Sequence, residues 1–339
     1  MKQFITGYTL LGSLQMDQIT VAVLDCFAPA ILDKLVNKIP KGWDMLAISE
    51  ATFKERQAVI RKATVAMLMG APLDNQLLAE APSLLYIQKL GAGVDNIDLD
   101  YCAEHKIGVG RLNSGNAVPV AEHTLMMMLA ASRQLVKFDH HTRKGVWQKE
   151  SARGSNKQIN GKTIGIVGLG AIGRQVATLL GNFGVKILYC DPIPAPNQLE
   201  KTLELERVAL DQLLRLSDII TLHCPLNNHT KHIINGEMIK LMKHGAIVIN
   251  CARGGLIDET ALANALITGQ LFSAGLDTFS KEPPDTKTLL ELQNTIVSPH
   301  CAGATLDNFD NIAERAIANI RSFLKNEKMP EHDMVYDPR

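Results

Sequence analysis

The chain has 339 residues, 46% of them apolar and 21% charged, which suits a soluble globular protein of two ordinary domains with a sizeable core. Lys plus Arg and Asp plus Glu balance at 35 each, so the totals carry no electrostatic footprint for nucleic acid or an anionic membrane. No apolar run approaches membrane-spanning length, and Met1–Met16 lack the features of a secretory signal or a transit peptide.

That opening stretch reads as a short extension, with Met16 as an alternative start. From there, short apolar runs alternate with helical patterns. Early strands are expected at Ile19–Leu24, Val65–Met69 and Leu84–Gln88. Later ones are expected at Thr163–Val167, Lys186–Cys190, Ile219–His223, Ala246–Asn250, Ser273–Leu276 and Thr295–Ser298. Such alternation is the signature of βαβ units and parallel sheets, an α/β fold. Two stretches look like joints. Leu112–Pro119 is dense in turn residues and precedes a helical pattern over Val120–Leu135. His300–Ala304 precedes a last helix over about Asn308–Lys325. Two such joints predict that a central block forms one domain and the two ends together form the other. Cys26, Cys102, Cys190, Cys224, Cys251 and Cys301 form no close Cys-x-x-Cys pair. Reduced, buried thiols are expected rather than disulfides or a metal site, and with them a cytoplasmic location.

The clearest motif is Gly168-Leu169-Gly170-Ala171-Ile172-Gly173. Alone it is weak, but a buried strand precedes it and a helical run, Arg174–Leu180, follows. The first glycine permits a tight turn, the second lets backbone approach a pyrophosphate, and the third allows close helix–strand packing. The helix start offers free N–H groups to phosphate. The next strand ends at Asp191, about 20 residues on, as a dinucleotide fingerprint requires. A carboxylate there accepts from ribose hydroxyls and repels a 2′-phosphate. Pro192-Ile193-Pro194-Ala195 follows with no Arg or Lys, so NAD is expected over NADP.

Three later segments carry side chains suited to hydride chemistry. Arg253 follows a buried strand and precedes two glycines, where a guanidinium can fork onto a carboxylate and polarise the adjacent carbonyl. Asp277 ends another strand, and Glu282 precedes Pro283-Pro284. His300 follows a third strand, and imidazole is the usual proton donor to a ketone oxygen as hydride reaches carbon. Taken singly, each has a structural alternative: a satisfied histidine, a surface arginine, a solvated loop glutamate.

Together these segments resemble the D-isomer-specific 2-hydroxyacid dehydrogenases, a group that includes D-3-phosphoglycerate dehydrogenase, glyoxylate/hydroxypyruvate reductases and D-lactate dehydrogenases. The likeness runs from about Ile19 onward. It is carried by Gly91-Ala92-Gly93-Val94-Asp95-Asn96-Ile97-Asp98, Val120-Ala121-Glu122-His123-Thr124, the Gly168–Gly173 loop, Cys251-Ala252-Arg253-Gly254, Glu282-Pro283-Pro284 and Pro299-His300. The resemblance implies a Rossmann dinucleotide-binding domain, 114–303, inserted into a flavodoxin-like substrate domain, 1–113 with 304–339. It implies that Arg253 binds the substrate carboxylate and carbonyl, that His300 is general acid and base, and that Glu282 pairs with it. Asp277 would hold the nicotinamide amide. His223, Cys224 and Pro225 would lie beside the adenosine half, with Cys251 and Ala252 beside the nicotinamide. Backbone N–H groups around Gly91, Ala92 and Gly93 would hold the substrate carboxylate, and domain closure would exclude water. The segment Val120 to about Trp147 resembles the family's dimer-forming helix and extension, so a homodimer through the nucleotide domain is expected, with Met126-Met127-Met128 in core or interface.

Two departures bear on the substrate. Gly70-Ala71-Pro72-Leu73 stands where many phosphoglycerate enzymes carry an Arg-Ser pair, and Arg339 leaves no room for the serine-sensing domains of some relatives. A short non-phosphorylated 2-keto acid such as glyoxylate or hydroxypyruvate is therefore the expected substrate, ahead of 3-phosphoglycerate. Glu282 stands where formate-oxidising relatives have Gln. A third reading is an NAD-sensing binding protein, because the C-terminal-binding-protein corepressors share this fold and the same catalytic set.

Overall fold

The computed structural model describes residues 19–285 and 287–339; the expected N-terminal extension lies outside them. The chain divides into two compact units. One runs to Gly115 and takes in Leu306–Arg339, and the other is Asn116–Thr305.

The first unit holds strands β1 (Ile19–Val23), β2 (Trp43–Ala47), β3 (Val65–Leu68), β4 (Tyr86–Lys89), β5 (Gly108–Gly110) and β13 (Met334–Tyr336). Read from one edge, the sheet runs β2-β1-β3-β4-β5-β13, and its first five strands follow the doubly wound flavodoxin-like order. All pairs are parallel except β13 on β5. Alternate residues serve opposite faces, as the pleat demands. Val21, Val23, Val65 and Met67 pack with Phe309, Ile312, Ala316, Ile320 and Phe323 of the helix Leu306–Leu324. Ala22, Ala66 and Leu68 face the other core with Leu77, Leu78 and Val109.

The second unit holds β6 (Thr163–Val167), β7 (Lys186–Cys190), β8 (Leu205–Arg207), β9 (Ile219–Leu222), β10 (Ala246–Asn250), β11 (Leu271–Leu276) and β12 (Thr295–Val297). Their order is β8-β7-β6-β9-β10-β11-β12, the 3-2-1-4-5-6 arrangement of dinucleotide folds with one strand added. Every pair is parallel. Such a sheet needs cover on both faces. Leu188, Ile220, Leu222 and Val248 lie in one core, while Ile164, Ile166, Ile219 and Ile249 lie in the other with Ala121, Met127 and Met128.

That last helix spans Ala117–Ser132, three residues earlier at each end than the expected Val120–Leu135. Pro119 sits in its first turn, where no intrahelical N–H is needed. Gln134, at φ 48°, then breaks the direction before a second helix, Leu135–Arg143. All six cysteines are free thiols, but only Cys102 and Cys251 are buried as expected, and Cys26 is exposed. Among the described residues, no helix is long and apolar enough to cross a membrane.

Candidate active site

β6 ends in Val167 and the helix Ala171–Leu180 begins after three intervening residues. Gly168 turns the chain at φ 95°, and a Cβ there would lie 2.6 Å from the backbone N of Cys224. A Cβ on Gly173 would lie 2.2 Å from the Gly168 oxygen, whereas one on Gly170 would meet nothing within 4 Å. The loop is therefore closed against the sheet by its outer glycines and open at the helix start, where the first-turn N–H groups are unpaired by the helix itself. Asp191 braces the loop by accepting from Leu169 N at 2.7 Å and Ile193 N at 2.9 Å. His223 Nε2 meets Thr221 Oγ1 at 2.9 Å, while its Nδ1 is buried and has no partner among the described residues. Burial pushes the His223 imidazole down to about 3 and the Cys224 thiol up to about 11. Both are neutral at physiological pH.

Beyond β10, β11 and β12 three loops meet. Asn250, buried at the end of β10, donates to Arg253 O at 2.9 Å and accepts from Ala252 N at 3.0 Å. This pins the segment carrying Arg253. Gly254 lies hard against the next loop: a Cβ there would fall 1.9 Å from Phe279 C and 2.2 Å from Ser280 N. That second loop carries Glu282, whose Oε1 accepts from Phe279 N at 3.0 Å. Its Oε2 lies 2.8 Å from His300 Nδ1. His300 adopts φ 51°, a left-handed conformation that side-chain-bearing residues seldom take. Its N–H is held by Asp277 O at 2.8 Å. Asp277 is fully buried. It accepts from Ser298 Oγ at 2.5 Å, Cys301 N at 2.9 Å and Ala302 N at 2.9 Å. Ser298 Oγ in turn meets His123 Nε2 at 3.0 Å. The site thus gathers Arg253, Asp277, Glu282 and His300 at the carboxyl ends of adjacent strands, and Cys251, buried behind them, has its thiol pushed up to about 12.

In the first unit, Gly91-Ala92-Gly93 follows β4. Lys89 Nζ donates to Met69 O and, at 2.6 Å, to Asn96 Oδ1, and Asn96 Nδ2 donates to Ala71 O at 2.6 Å. These bonds tie the loops after β3 and β4 together. Among the described residues the N–H groups of Ala92 and Gly93 have no acceptor.

Residues 125–302 match the family model described as "D-isomer specific 2-hydroxyacid dehydrogenase, NAD binding domain". The chain is 38% identical to the hydroxypyruvate reductase of Thermotoga maritima over 81% of this chain and 90% of that one. The chain belongs to the D-isomer-specific 2-hydroxyacid dehydrogenases. It is 33% identical to the D-3-phosphoglycerate dehydrogenase of Mycobacterium leprae, over 93% of this chain but only 59% of that one. Among solved structures, the NAD-dependent formate dehydrogenase of Staphylococcus aureus, in complex with NAD, superposes with a TM-score of 0.83 at 26% identity, covering 94% of this chain and 99% of that one.

The matched family model is an NAD-binding domain, and the residues fit NAD: the outer glycines leave no room for side chains, the helix start is open, and Asp191 directly follows β7. Two groups that hold this site together are invisible to motif reading. Asn250 and Ser298 are ordinary strand-end residues in sequence, and their role comes from the loops they fasten. His123 lay within a family motif but without a role; the structure joins it to Asp277 through Ser298.

Glu282 has a testable electrostatic signature. Partial burial works to raise its pKa, but the His300 hydrogen bond, the Phe279 N–H and the charges of His300 and Arg253 outweigh it and hold the carboxyl below its ordinary 4.5. A depressed folded value means the contribution to stability is complete above the unfolded value and is lost as pH falls through the folded one. In a carboxylate-resolved titration, Glu282 is expected to take up its proton below the ordinary value in the wild type. In His300→Ala the midpoint should move upward. An unmoved midpoint would count against the pair.

Proposed function

We propose that the chain interconverts a small D-2-hydroxy acid and its 2-keto acid, with NAD as hydride carrier. Residues 116–305 then bind NAD, and residues up to 115 with 306–339 bind substrate. The observation that carries the reading is the 2.8 Å bond between His300 Nδ1 and Glu282 Oε2, beside Arg253, whose charge reaches Glu282.

Bound NADH supplies a hydride to the carbonyl carbon. His300 supplies the proton: Glu282 occupies Nδ1, which leaves Nε2 to donate to the carbonyl oxygen in reduction and to accept from the hydroxyl in oxidation. The Glu282 carboxylate holds Nδ1 at 2.8 Å and fixes the ring plane. Arg253 forks onto the substrate carboxylate and polarises the carbonyl. In the first unit, the free N–H groups of Ala92 and Gly93 are a carboxylate holder of their own. Asp277, buried and accepting from Ser298, Cys301 N and Ala302 N, positions the His300 loop beside the nicotinamide amide. Asp191 accepts from the adenosine ribose, and the Gly168–Gly173 loop takes the pyrophosphate, with Ala171 and Ile172 in the helix's first turn. His223, Cys224 and Pro225 wall the adenosine side, and Cys251 with Ala252 the nicotinamide side.

A short non-phosphorylated acid such as glyoxylate or hydroxypyruvate is the preferred substrate. Asp25 accepts from Met69 N at 2.5 Å, Gly70 N at 2.8 Å and Ala71 N at 2.9 Å. The loop after β3 therefore already carries a carboxylate on its N–H groups, a poor place for a phosphate. A panel of 2-keto acids assayed with NADH and NADPH, with 3-phosphoglycerate and NAD alongside, tests this. Turnover of glyoxylate or hydroxypyruvate with NADH is expected. Robust oxidation of 3-phosphoglycerate alone would replace the substrate, and tight NADH binding without turnover of any acid would point to a sensor.

We also propose a homodimer through the second unit. Val118, Met126, Leu129, Leu135, Val136 and Trp147 are large apolar side chains left exposed within one short stretch, Trp147 by 79%. Met127 and Met128 are buried in the unit's own core. Such a concentration marks an interaction surface. Light scattering should give twice the chain mass, and Met126→Glu with Leu135→Glu should shift it to the monomer. A wild-type monomer at micromolar concentration would refute the assignment.

A further inference from the structure

The stretch directly after Asp191 offers no cation, yet the fold brings one to the same turn from another strand. β8 lies beside β7 with Arg207 opposite Tyr189, and Arg207 is the last residue of β8. Its side chain reaches back to the end of β7. Nη2 donates to Asp191 O at 2.9 Å and Pro192 O at 3.0 Å, and Nε donates to Asp191 O at 3.2 Å. These bonds fix the plane of the guanidinium, while Nη1 makes no hydrogen bond among the described residues. The Asp191 carboxylate is engaged elsewhere, by Leu169 N and Ile193 N. A carboxylate and a guanidinium therefore share one turn without bonding to each other.

The two charges have opposite preferences for the adenosine ribose. A carboxylate accepts from a free 2′-hydroxyl and repels a 2′-phosphate, whereas an arginine in this neighbourhood accommodates that phosphate. We propose that Arg207 is a specificity-determining residue of the adenosine site, a preplaced 2′-phosphate cation that Asp191 alone holds in check. The inference rests on the reading of Asp191 as the ribose acceptor. Discrimination against NADP in this chain is then a balance of two fixed charges, and removing the negative one uncovers a site already built. The backbone anchoring matters here, because a guanidinium held in plane loses little freedom when phosphate arrives.

Equilibrium binding of NADH and NADPH, read by nicotinamide fluorescence, tests this independently of turnover. The proteins are wild type, Asp191→Ser, Arg207→Gln and the double variant. Asp191→Ser is expected to tighten NADPH by about tenfold to a hundredfold, the range of a charge-assisted hydrogen-bonding group. Adding Arg207→Gln should remove most of that gain and leave NADH affinity within about threefold of the Asp191→Ser value. In the wild-type background, Arg207→Gln should weaken NADPH about tenfold at low salt and flatten the salt dependence of NADPH binding. If Asp191→Ser gains NADPH affinity and the double variant keeps it, Arg207 is not the determinant while the ribose reading stands. If Asp191→Ser changes neither cofactor's affinity, the ribose reading fails and takes the inference with it. Should that variant not fold, Arg207→Gln alone decides: an unchanged ratio of NADPH to NADH affinity overturns the proposal.

Discussion

His300→Ala is expected to lower turnover of the keto acid by about 10²- to 10⁴-fold while NADH binds as in the wild type. The proton that completes reduction has to come from a group whose other face is fixed, and Nδ1 of His300 is fixed by Glu282 at 2.8 Å. Removing the imidazole leaves Arg253 and the cofactor loop in place, so the loss should fall on turnover rather than on cofactor affinity. Glu282→Gln keeps a hydrogen-bonding partner but removes the charge. Its turnover should fall by less than that of His300→Ala, because the ring keeps a partner at Nδ1. Normal turnover in His300→Ala, measured at several pH values, would take the proton role away from this residue.

Gly254→Ala is expected to be nearly as damaging, although it adds a single methyl group. The new Cβ would lie 1.9 Å from Phe279 C and 2.3 Å from Phe279 O. Both are backbone atoms and cannot swing aside. The loop after β10 and the loop after β11 must part, and these are the loops that carry Arg253 and Glu282. Displacement of about 1 Å at such a site costs on the order of a hundredfold in rate, and overpacking costs about 1–3 kcal/mol of stability. Loss of kcat/KM with NADH affinity nearly unchanged, together with a lower Tm, is the expected pattern. A variant with wild-type kcat/KM would show that the close contact of the two loops does not position the chemistry.

The central strands of both sheets were legible because a strand buried on both faces must be apolar nearly throughout, as Ile219–Leu222 and Ala246–Asn250 are. The short edge or glycine-bearing strands gave no such signal. Trp43–Ala47 carries Asp44, Leu205–Arg207 carries two charges, and Gly108–Gly110 has a single side chain to read. They become strands because a neighbour supplies the hydrogen-bond ladder. The site divides along the same line. Residues lodged in local motifs, such as Gly168 and Asp191, are visible from spacing. His300 and Glu282 gain meaning from family likeness. Ser298 and Arg207 act through partners at the ends of other strands, and Asn250 fastens the turn two and three residues on; no motif encodes any of these roles. Arg207 also qualifies the expectation drawn from the residues after Asp191. The cation missing from Pro192–Ala195 is supplied by the adjacent strand.

The most direct measurement is hydride transfer itself. NADH deuterated at the nicotinamide C4 is incubated with glyoxylate or hydroxypyruvate and the protein, and the product is examined by NMR and chiral chromatography. One deuterium on carbon 2 is expected, with the hydroxypyruvate product in the D configuration. NADH that binds but gives up no deuterium to any 2-keto acid, or an L product, would contradict the proposal.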